Sequence, residues 1–208
     1  VHTTVVDHPL VAERLSILRD ATTPNALFRQ TLDAIATMLI YEATRSLATD
    51  EHEVATPIAT TTGVRLAAAP MLVPILRAGA GMVDAALRLL PSAEVGYVGV
   101  SRNETTFEPY EYLAKLPASL AGRPTFVLDP MLATGGSLAH ALSLLAARGA
   151  PEPITCVCVL AAPEGLRRIE ACGVEVRVVT SAIDDHLDER AYIVPGLGDA
   201  GDRQFGLW

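Results

Sequence analysis

The chain has 208 residues, 50% of them hydrophobic, 19% charged and 5% aromatic, with a net charge of -8 from 16 Lys+Arg against 24 Asp+Glu. That length can bury a large core in one domain, and the Ala/Leu/Val-rich balance excludes disordered and fibrous classes. The acidic balance argues against sequence-independent nucleic-acid binding, while leaving room for a local basic pocket that takes a small anion.

In chain order, His8-Pro9-Leu10-Val11 predicts a short helix to about Arg19, because proline suits a first turn. Leu10, Arg14, Ile17 and Leu18 follow its 3.6-residue period, with Arg14 solvated at its tip. Thr23-Pro24-Asn25 restarts the chain. Phe28, Leu32, Ile35, Leu39 and Glu42 then predict a longer helix to about Leu47. Residues 49–70 alternate weakly and are expected to form a β-hairpin or arm on the outside of the domain. Residues 71–77 predict an apolar strand, with Pro74 expected near an edge or a strand end because it cannot donate to a ladder.

Arg77-Ala78-Gly79-Ala80-Gly81 follows at once and leads into a helix through Leu90. A cation beside closely packed backbone donors suits a phosphate or diphosphate, although an Arg capping a sheet edge would use the same residues. Residues 94–101 predict a third strand. It opens into the polar stretch from Arg102 through Pro109, either a lid or a solvated connection, before Tyr110-Glu111-Tyr112. Arg102 stands at that strand's C-terminal end.

Thr125-Phe126-Val127-Leu128 is a short β-prone run. It delivers Asp129-Pro130-Met131-Leu132-Ala133-Thr134-Gly135-Gly136-Ser137 and then a helix through Ala146. Glycines let backbone N–H groups converge on an anion, and the helix start adds unpaired donors and the positive dipole end. Thr134 and Ser137 can donate to phosphate oxygens, and Asp129 can hold a ribose hydroxyl, a magnesium-bound water or a proton. An ordinary strand–turn–helix junction closed by an Asx turn uses the same residue types. A Walker A loop is excluded, since no Gly-Lys-Ser/Thr follows the glycines.

Residues 154–161 predict a buried strand. A helix follows, started by Pro163 and stopped by Gly173, and then a strand at 174–180. Five apolar strands separated by helices or crossovers predict an α/β fold: an open, mostly parallel five-stranded sheet with helices on both faces. Such sheets gather ligands beyond the C-terminal ends of their strands, where Arg77, Arg102 and Asp129 fall. Cys156 and Cys158 are expected as core thiols, and with Cys172 they complete neither a disulfide framework nor a zinc site. No signal-peptide pattern or bilayer-length apolar run is present, so a reducing, cytoplasmic setting is expected. The stretch from Tyr192 to Arg203 is Gly/Pro-rich with two acids, suited to presenting backbone groups to the edge of a flat ligand.

On these residues the chain resembles the uracil branch of the phosphoribosyltransferase family, which binds 5-phosphoribosyl 1-diphosphate (PRPP). The resemblance runs from His8-Pro9-Leu10 through Tyr41-Glu42-Ala43, Pro74-Ile75-Leu76-Arg77-Ala78-Gly79, Arg102-Asn103-Glu104, Asp129 to Ser137, and Ala161-Ala162-Pro163-Glu164-Gly165. It continues in the tail to Phe205-Gly206. It implies a single domain over 1–208, with N-terminal helices at 9–47, a β-arm at about 49–70, a core at about 71–180 and a base-binding tail at about 181–208. The implied reaction is uracil + PRPP → UMP + diphosphate, with Mg²⁺ bound through the PRPP diphosphate and water and no metal ligand set in the protein.

By the same resemblance, Thr134, Gly135, Gly136 and Ser137 bind the 5′-phosphate, with Met131 and Ala133 in the same PRPP loop. Arg77 and Arg102 neutralise the diphosphate, and Asp129 holds the ribose hydroxyls. Main-chain groups around Ile193, Gly198 and Ala200 read uracil, with Asp199 near the ribose and the metal-bound diphosphate. Pro130 stands where most phosphoribosyltransferases carry a second acid, which favours uracil. The resemblance further implies a homodimer through the N-terminal helices or the arm; a higher homo-oligomer and a purine-nucleotide effector are compatible with it but are not read from these residues. Oxocarbenium character at the transferred carbon needs positioning and charge neutralisation and no side-chain nucleophile, so Ser137, the cysteines and His140 are not assigned covalent roles. Two other readings keep the fold. One transfers to orotate, xanthine or another pyrimidine. The other is a PRPP- or nucleotide-sensing regulator that binds RNA, which the acidic balance and the lack of a Lys/Arg run oppose.

Overall fold

The structure is a computed structural model that describes residues 1–102 and 109–206, with residues 101, 102 and 109 described in their backbone alone. The chain begins with strand β1 (His2–Val5), helices α1 (Pro9–Arg19) and α2 (Asn25–Ala43), and strands β2 (Thr49–Ala55) and β3 (Thr60–Leu66). Strand β4 (Met71–Leu76) runs through a 3-10 turn at Ala78–Met82 into α3 (Val83–Leu89). Strands β5 (Glu94–Val95), β6 (Tyr97–Arg102) and β7 (Pro109–Lys115) follow. Then come β8 (Thr125–Leu128), β9 (Met131–Leu132), α4 (Gly136–Ala146), β10 (Ile154–Val157), β11 (Leu160–Ala161) and α5 (Pro163–Glu170). The chain closes with β12 (Val176–Thr180), β13 (Ala182–Ile183), β14 (His186–Leu187), β15 (Ile193–Val194) and α6 (Ala200–Phe205).

The expected open, mostly parallel α/β sheet forms, and it is wider than five strands. Among the described residues its order is β1-β12-β10-β8-β4-β6-β7, with β5 also on β4, eight strands in all. Only the β6–β7 pairing is antiparallel. β1 and β7 escape a sequence reading because an edge strand needs no run buried on both faces. Thus Tyr110, Glu111 and Tyr112, expected at the end of a polar loop, lie in β7 against β6. The rest of that expected lid, residues 103–108, lies outside the described residues.

Register explains the two cores. Val73, Val127, Cys156 and Val178 form one row across four strands, buried with Leu138, Leu142 and Leu145 of α4 and Ile169 of α5. The adjoining row, with Leu128, Val157 and Val179, faces Phe28, Leu32 and Ile35 of α2 and Leu15 and Leu18 of α1. Period-two alternation puts neighbours on opposite faces, and each face receives its own helices. The buried stripe of α1 is Val11, Leu15 and Leu18, while Leu10 is 51% exposed. Of the stripe read from the sequence (Leu10, Arg14, Ile17 and Leu18), Leu18 is buried as expected, while Leu10 is corrected to the exposed side. α2 buries Phe28, Leu32, Ile35 and Leu39 as expected and ends at Ala43, four residues before Leu47.

Pro74 sits inside the central strand β4 instead of near an edge. Met71 N donates to Pro124 O toward β8, and Gly96 N donates to Leu72 O from the other side. Alternation therefore turns the donor that Pro74 lacks toward the interruption between β5 and β6, where it leaves the ladder to β8 intact. The predicted strand at 154–161 is also two: β10 in the main sheet and β11 in a second sheet, β13-β11-β9. Three neighbouring core strands, β12, β10 and β8, each break and resume as β13, β11 and β9 in the same spatial order.

β2 and β3 pair with each other as the expected arm, and most of their residues are exposed. Among the described residues no helix is long and apolar enough to cross a membrane.

Strand order reverses direction between β4 and β8: after β4 the chain moves toward β6, and after β8 toward β10. The connections leaving the C-terminal ends of β4 and β8 diverge, which opens a crevice at a topological switch point. Arg77 follows β4 and Asp129 follows β8, so both stand at its mouth.

Candidate active site

The stretch after β8 is a turn, a two-residue strand and a helix start. Asp129 N donates to Val157 O (3.1 Å), holding the residue to β10, and Met131 N approaches Asp129 Oδ1 at 3.4 Å. Pro130 O accepts from both Val159 N (2.9 Å) and Leu160 N (3.0 Å), which fixes the break that starts β9. Gly135 then takes φ +75° as the N-cap of α4 and supplies no side-chain cap. A Cβ on Gly135 would stand 2.8 Å from Gly165 O, and one on Gly165 would stand 2.5 Å from Ala133 O. The start of α5 therefore packs backbone to backbone on the turn, a use of Gly165 that its sequence position alone did not reveal.

The first intrahelical bond of α4 is Ala139 N to Gly135 O (2.9 Å). The N–H groups of the preceding first turn carry no such bond, and Gly136 N lies 3.5 Å from Thr134 Oγ1. With no acid in that turn, the helix presents donors and positive dipole density at the sheet edge, an arrangement that accepts a phosphate.

Asp129 keeps some surface open through the crevice, yet the protein around it desolvates the carboxyl and pushes it up to about 7. The Met131 N–H pulls the other way, and the negative charge of Asp199 adds to the rise. Two acids, one just after β8 and one in the tail, thus share one field, and bringing a cation or a proton there relieves it.

Arg77 caps the 3-10 turn after β4, and the Leu76-Arg77 peptide is cis. A Cβ on Gly79 would meet Leu128 O at 2.2 Å, so this turn lies directly on the end of β8. Arg77 Nη2 donates to Asp202 Oδ1 at 2.8 Å, and its side chain is 48% exposed. Arg102 is the last residue of β6 and is paired in register with Pro109; its side chain lies outside the described residues.

The tail closes the crevice. A pocket of about 360 Å³ has Ala78, Met131 and Ala133 on one side and Ile193, Gly198, Asp199 and Ala200 on the other. Six of the expected site residues thus meet there, two from the stretch after β8 and four from the tail. Gly135, Gly136 and Ser137 lie beyond it at the start of α4. The tail is more ordered than the loop read from its glycines: β14 and β15 form a hairpin, and Ala200–Phe205 is helix α6, capped by Asp199 Oδ1 accepting from Asp202 N (2.9 Å). Asp199-Ala-Gly-Asp202 is itself a capping pattern, so that signal was present.

Sequence reasoning also missed Arg190, which lines the pocket, and Gln204, which is fully buried. Gln204 Nε2 donates to Ala200 O (2.7 Å) and Ala78 O (3.2 Å), tying α6 to the turn after Arg77. His140 Nε2 lies 2.7 Å from Glu111 Oε2, joining α4 to β7. Cys156 and Cys158 are fully buried. A hydrogen bond with Cys158 and burial push the Cys156 thiol well above its usual range, which suits a core thiol and not a nucleophile.

Residues 5–207 match the family model described as uracil phosphoribosyltransferase. A protein of that name from Kineococcus radiotolerans is 54% identical over 207 residues, covering 98% of each chain. One from Corynebacterium diphtheriae is 54% identical over 202 residues, covering 97% of this chain and 95% of its own. A solved protein from Aquifex aeolicus superposes with a TM-score of 0.92 at 39% identity, over 99% of this chain and 98% of its own. The adenine phosphoribosyltransferase of Thermoanaerobacter pseudethanolicus, at 10% identity and a TM-score of 0.52 over 81% of this chain and 85% of its own, shares the fold alone.

Proposed function

The chain belongs to the uracil phosphoribosyltransferase family, and from that premise we infer how its residues divide the work. It transfers the 5-phosphoribosyl group of PRPP to uracil, giving UMP and diphosphate, a step of pyrimidine salvage. The observation that carries the assignment of residues is the shared pocket: the PRPP loop and the tail face each other across about 360 Å³, room for a small flat base.

The first turn of α4, with Thr134 and Ser137, holds the 5′-phosphate. Asp129, at the base of that loop, accepts from the ribose hydroxyls directly or through water. Arg77 and Arg102 meet the diphosphate and neutralise the charge that grows on it as the C1′–O bond lengthens. Main-chain groups around Ile193, Gly198 and Ala200 take the edge of uracil and hold its N1 on the face opposite the leaving group. Asp199 stands near the ribose and the metal-bound diphosphate, where its charge favours positive character at C1′.

Among the described residues no three His, Cys, Asp or Glu side chains converge as a metal cage. The shared field of Asp129 and Asp199 nevertheless fits a cation delivered by the substrate, and these two acids would hold Mg²⁺ through water. When bound, that ion would supply further charge neutralisation at the diphosphate.

The exposed arm formed by β2 and β3 fits a homodimer, with the N-terminal helices as a second surface. The buried free thiols fit a reducing compartment such as the cytoplasm. Incubation with PRPP, Mg²⁺ and a panel of bases tests the function. UMP and diphosphate are expected with uracil; release of another nucleotide in its place would overturn the reading.

A further inference from the structure

Gly196 and Gly198 take positive φ, 61° and 80°, in the turn that brings the tail to the pocket. A Cβ on Gly196 would stand 2.0 Å from Ile193 O, so no side chain fits there, and the turn's one side chain, Leu197, is buried in the core. It is held from behind. Asp184, 6% exposed, accepts from Gly196 N at 2.9 Å. Arg19, the last residue of α1, forks onto both Asp184 oxygens at 2.7 and 2.6 Å and donates to Gly196 O at 2.8 Å. Both backbone polar groups of Gly196 are therefore fixed by one ion pair.

The next residue is held by a second arginine. Arg203 Nη1 donates to Leu197 O (2.8 Å) and to Leu18 O, and Nη2 donates to Asp20 O (2.6 Å). Its guanidinium stacks 4.5 Å from the Phe28 ring centre. The C-terminal turn of α1 is thus locked to residues 196 and 197, immediately before Gly198 and Asp199 line the pocket.

We propose that the Arg19–Asp184 pair is a positioning device for base recognition: it sets the depth of the turn from Gly196 to Gly198, and so of the backbone that meets uracil, without touching substrate. The proposal rests on the tail being the uracil reader. A pair serving only stability would be an inefficient use of buried charge, because a neutral pair of similar volume is often equally stable. What a neutral pair cannot reproduce is the fork that fixes Asp184 and Gly196 O at once.

The test compares wild type with Arg19→Met/Asp184→Asn, which removes both charges together, and with Arg19→Lys, which keeps a cation but loses the fork. The readouts are KM for uracil at saturating PRPP, KM for PRPP at saturating uracil, and thermal unfolding. The double variant is expected to raise the uracil KM by about tenfold to a hundredfold, with the PRPP KM within about twofold and Arg19→Lys in between. A folded double variant with wild-type uracil KM, or with both KM values raised by one factor, overturns the proposal. Where the double variant does not fold, Arg19→Lys decides by the same split. Wild type separates the two levels: no UMP from uracil overturns the proposed function itself, whereas UMP from uracil with variants that match wild type overturns the positioning role alone and leaves the activity standing.

Discussion

Arg77 and Asp202 are joined by a hydrogen-bonded ion pair at 2.8 Å, so the cation proposed to meet the diphosphate is already oriented by helix α6, whose first residues line the pocket. The pair ties the turn after β4 to α6, the two walls that PRPP and uracil would bridge. Both partners retain solvent contact, with side chains 48% and 29% exposed, and such pairs contribute about 0–1 kcal/mol to stability. Arg77→Ala should therefore leave the unfolding temperature nearly unchanged while lowering kcat/KM by roughly a hundredfold or more. Asp202→Asn keeps an acceptor for the guanidinium and should have a smaller effect, mainly on the KM for PRPP. Steady-state UMP formation beside thermal unfolding checks both; unchanged turnover in Arg77→Ala would remove it from the site.

Burial and the charge of Asp199 hold Asp129 at about 7, against an ordinary value of 3.8. Between those values the folded chain keeps a proton that the unfolded chain has released, so this residue's contribution to stability falls as pH rises from about 4 through about 7. In the absence of substrate, Asp129→Asn should remove that decline, exceed wild type in stability near pH 8 and converge with it toward pH 4. The same substitution should impair PRPP use. A cation brought to the crevice lowers the carboxyl's proton affinity, so Mg²⁺–PRPP binding near pH 7 should release protons in wild type but not in the variant. Calorimetry in two buffers of different ionisation heat reads that release. Identical proton counts in the two proteins would contradict the assignment.

Gly135 combines φ +75° with backbone packing against Gly165. An alanine there must adopt an unfavourable conformation and displace the start of α5, at about 1–3 kcal/mol. Gly135→Ala should lower the unfolding temperature and raise the KM for PRPP more than that for uracil, because the shift falls at the phosphate turn and not in the tail. A substrate-independent loss of activity would indicate unfolding alone.

The legible parts of this molecule are those whose physics is local. A strand–turn–helix junction built on glycines and hydroxyls needs only nine consecutive residues, and Asp129 through Ser137 displays it in order, with α4 starting at Gly136. Buried parallel strands need short apolar runs, and β4, β8, β10 and β12 show them. The missed parts depend on partners distant in the chain: Arg19 and Asp184 are 165 residues apart, and Gln204 reaches back 126 residues to Ala78. β1 and β7 lack the double-sided apolar pattern because they are edges, and α6 is six residues long in a stretch whose glycines suggest a loop. Pro74 violates an edge-strand rule that holds only while both neighbouring ladders are continuous.

The arm supplies the last prediction. A lone two-stranded hairpin is marginal in water, and β2 and β3 bury almost nothing of their own. Ile58 at its tip is 94% exposed and Val64 is 66% exposed, apolar surface without a cover in a single chain. If the arm contributes to a homodimer, Ile58→Asp/Val64→Asp places two desolvated carboxylates in that contact, and the assembly should weaken by about tenfold or more. Light scattering across a concentration series should then show a shift toward monomer, with the far-UV circular dichroism retained because neither residue belongs to a core cluster. A wild-type dimer whose mass the double variant keeps at every concentration would place the subunit contact elsewhere, with the N-terminal helices as the remaining surface.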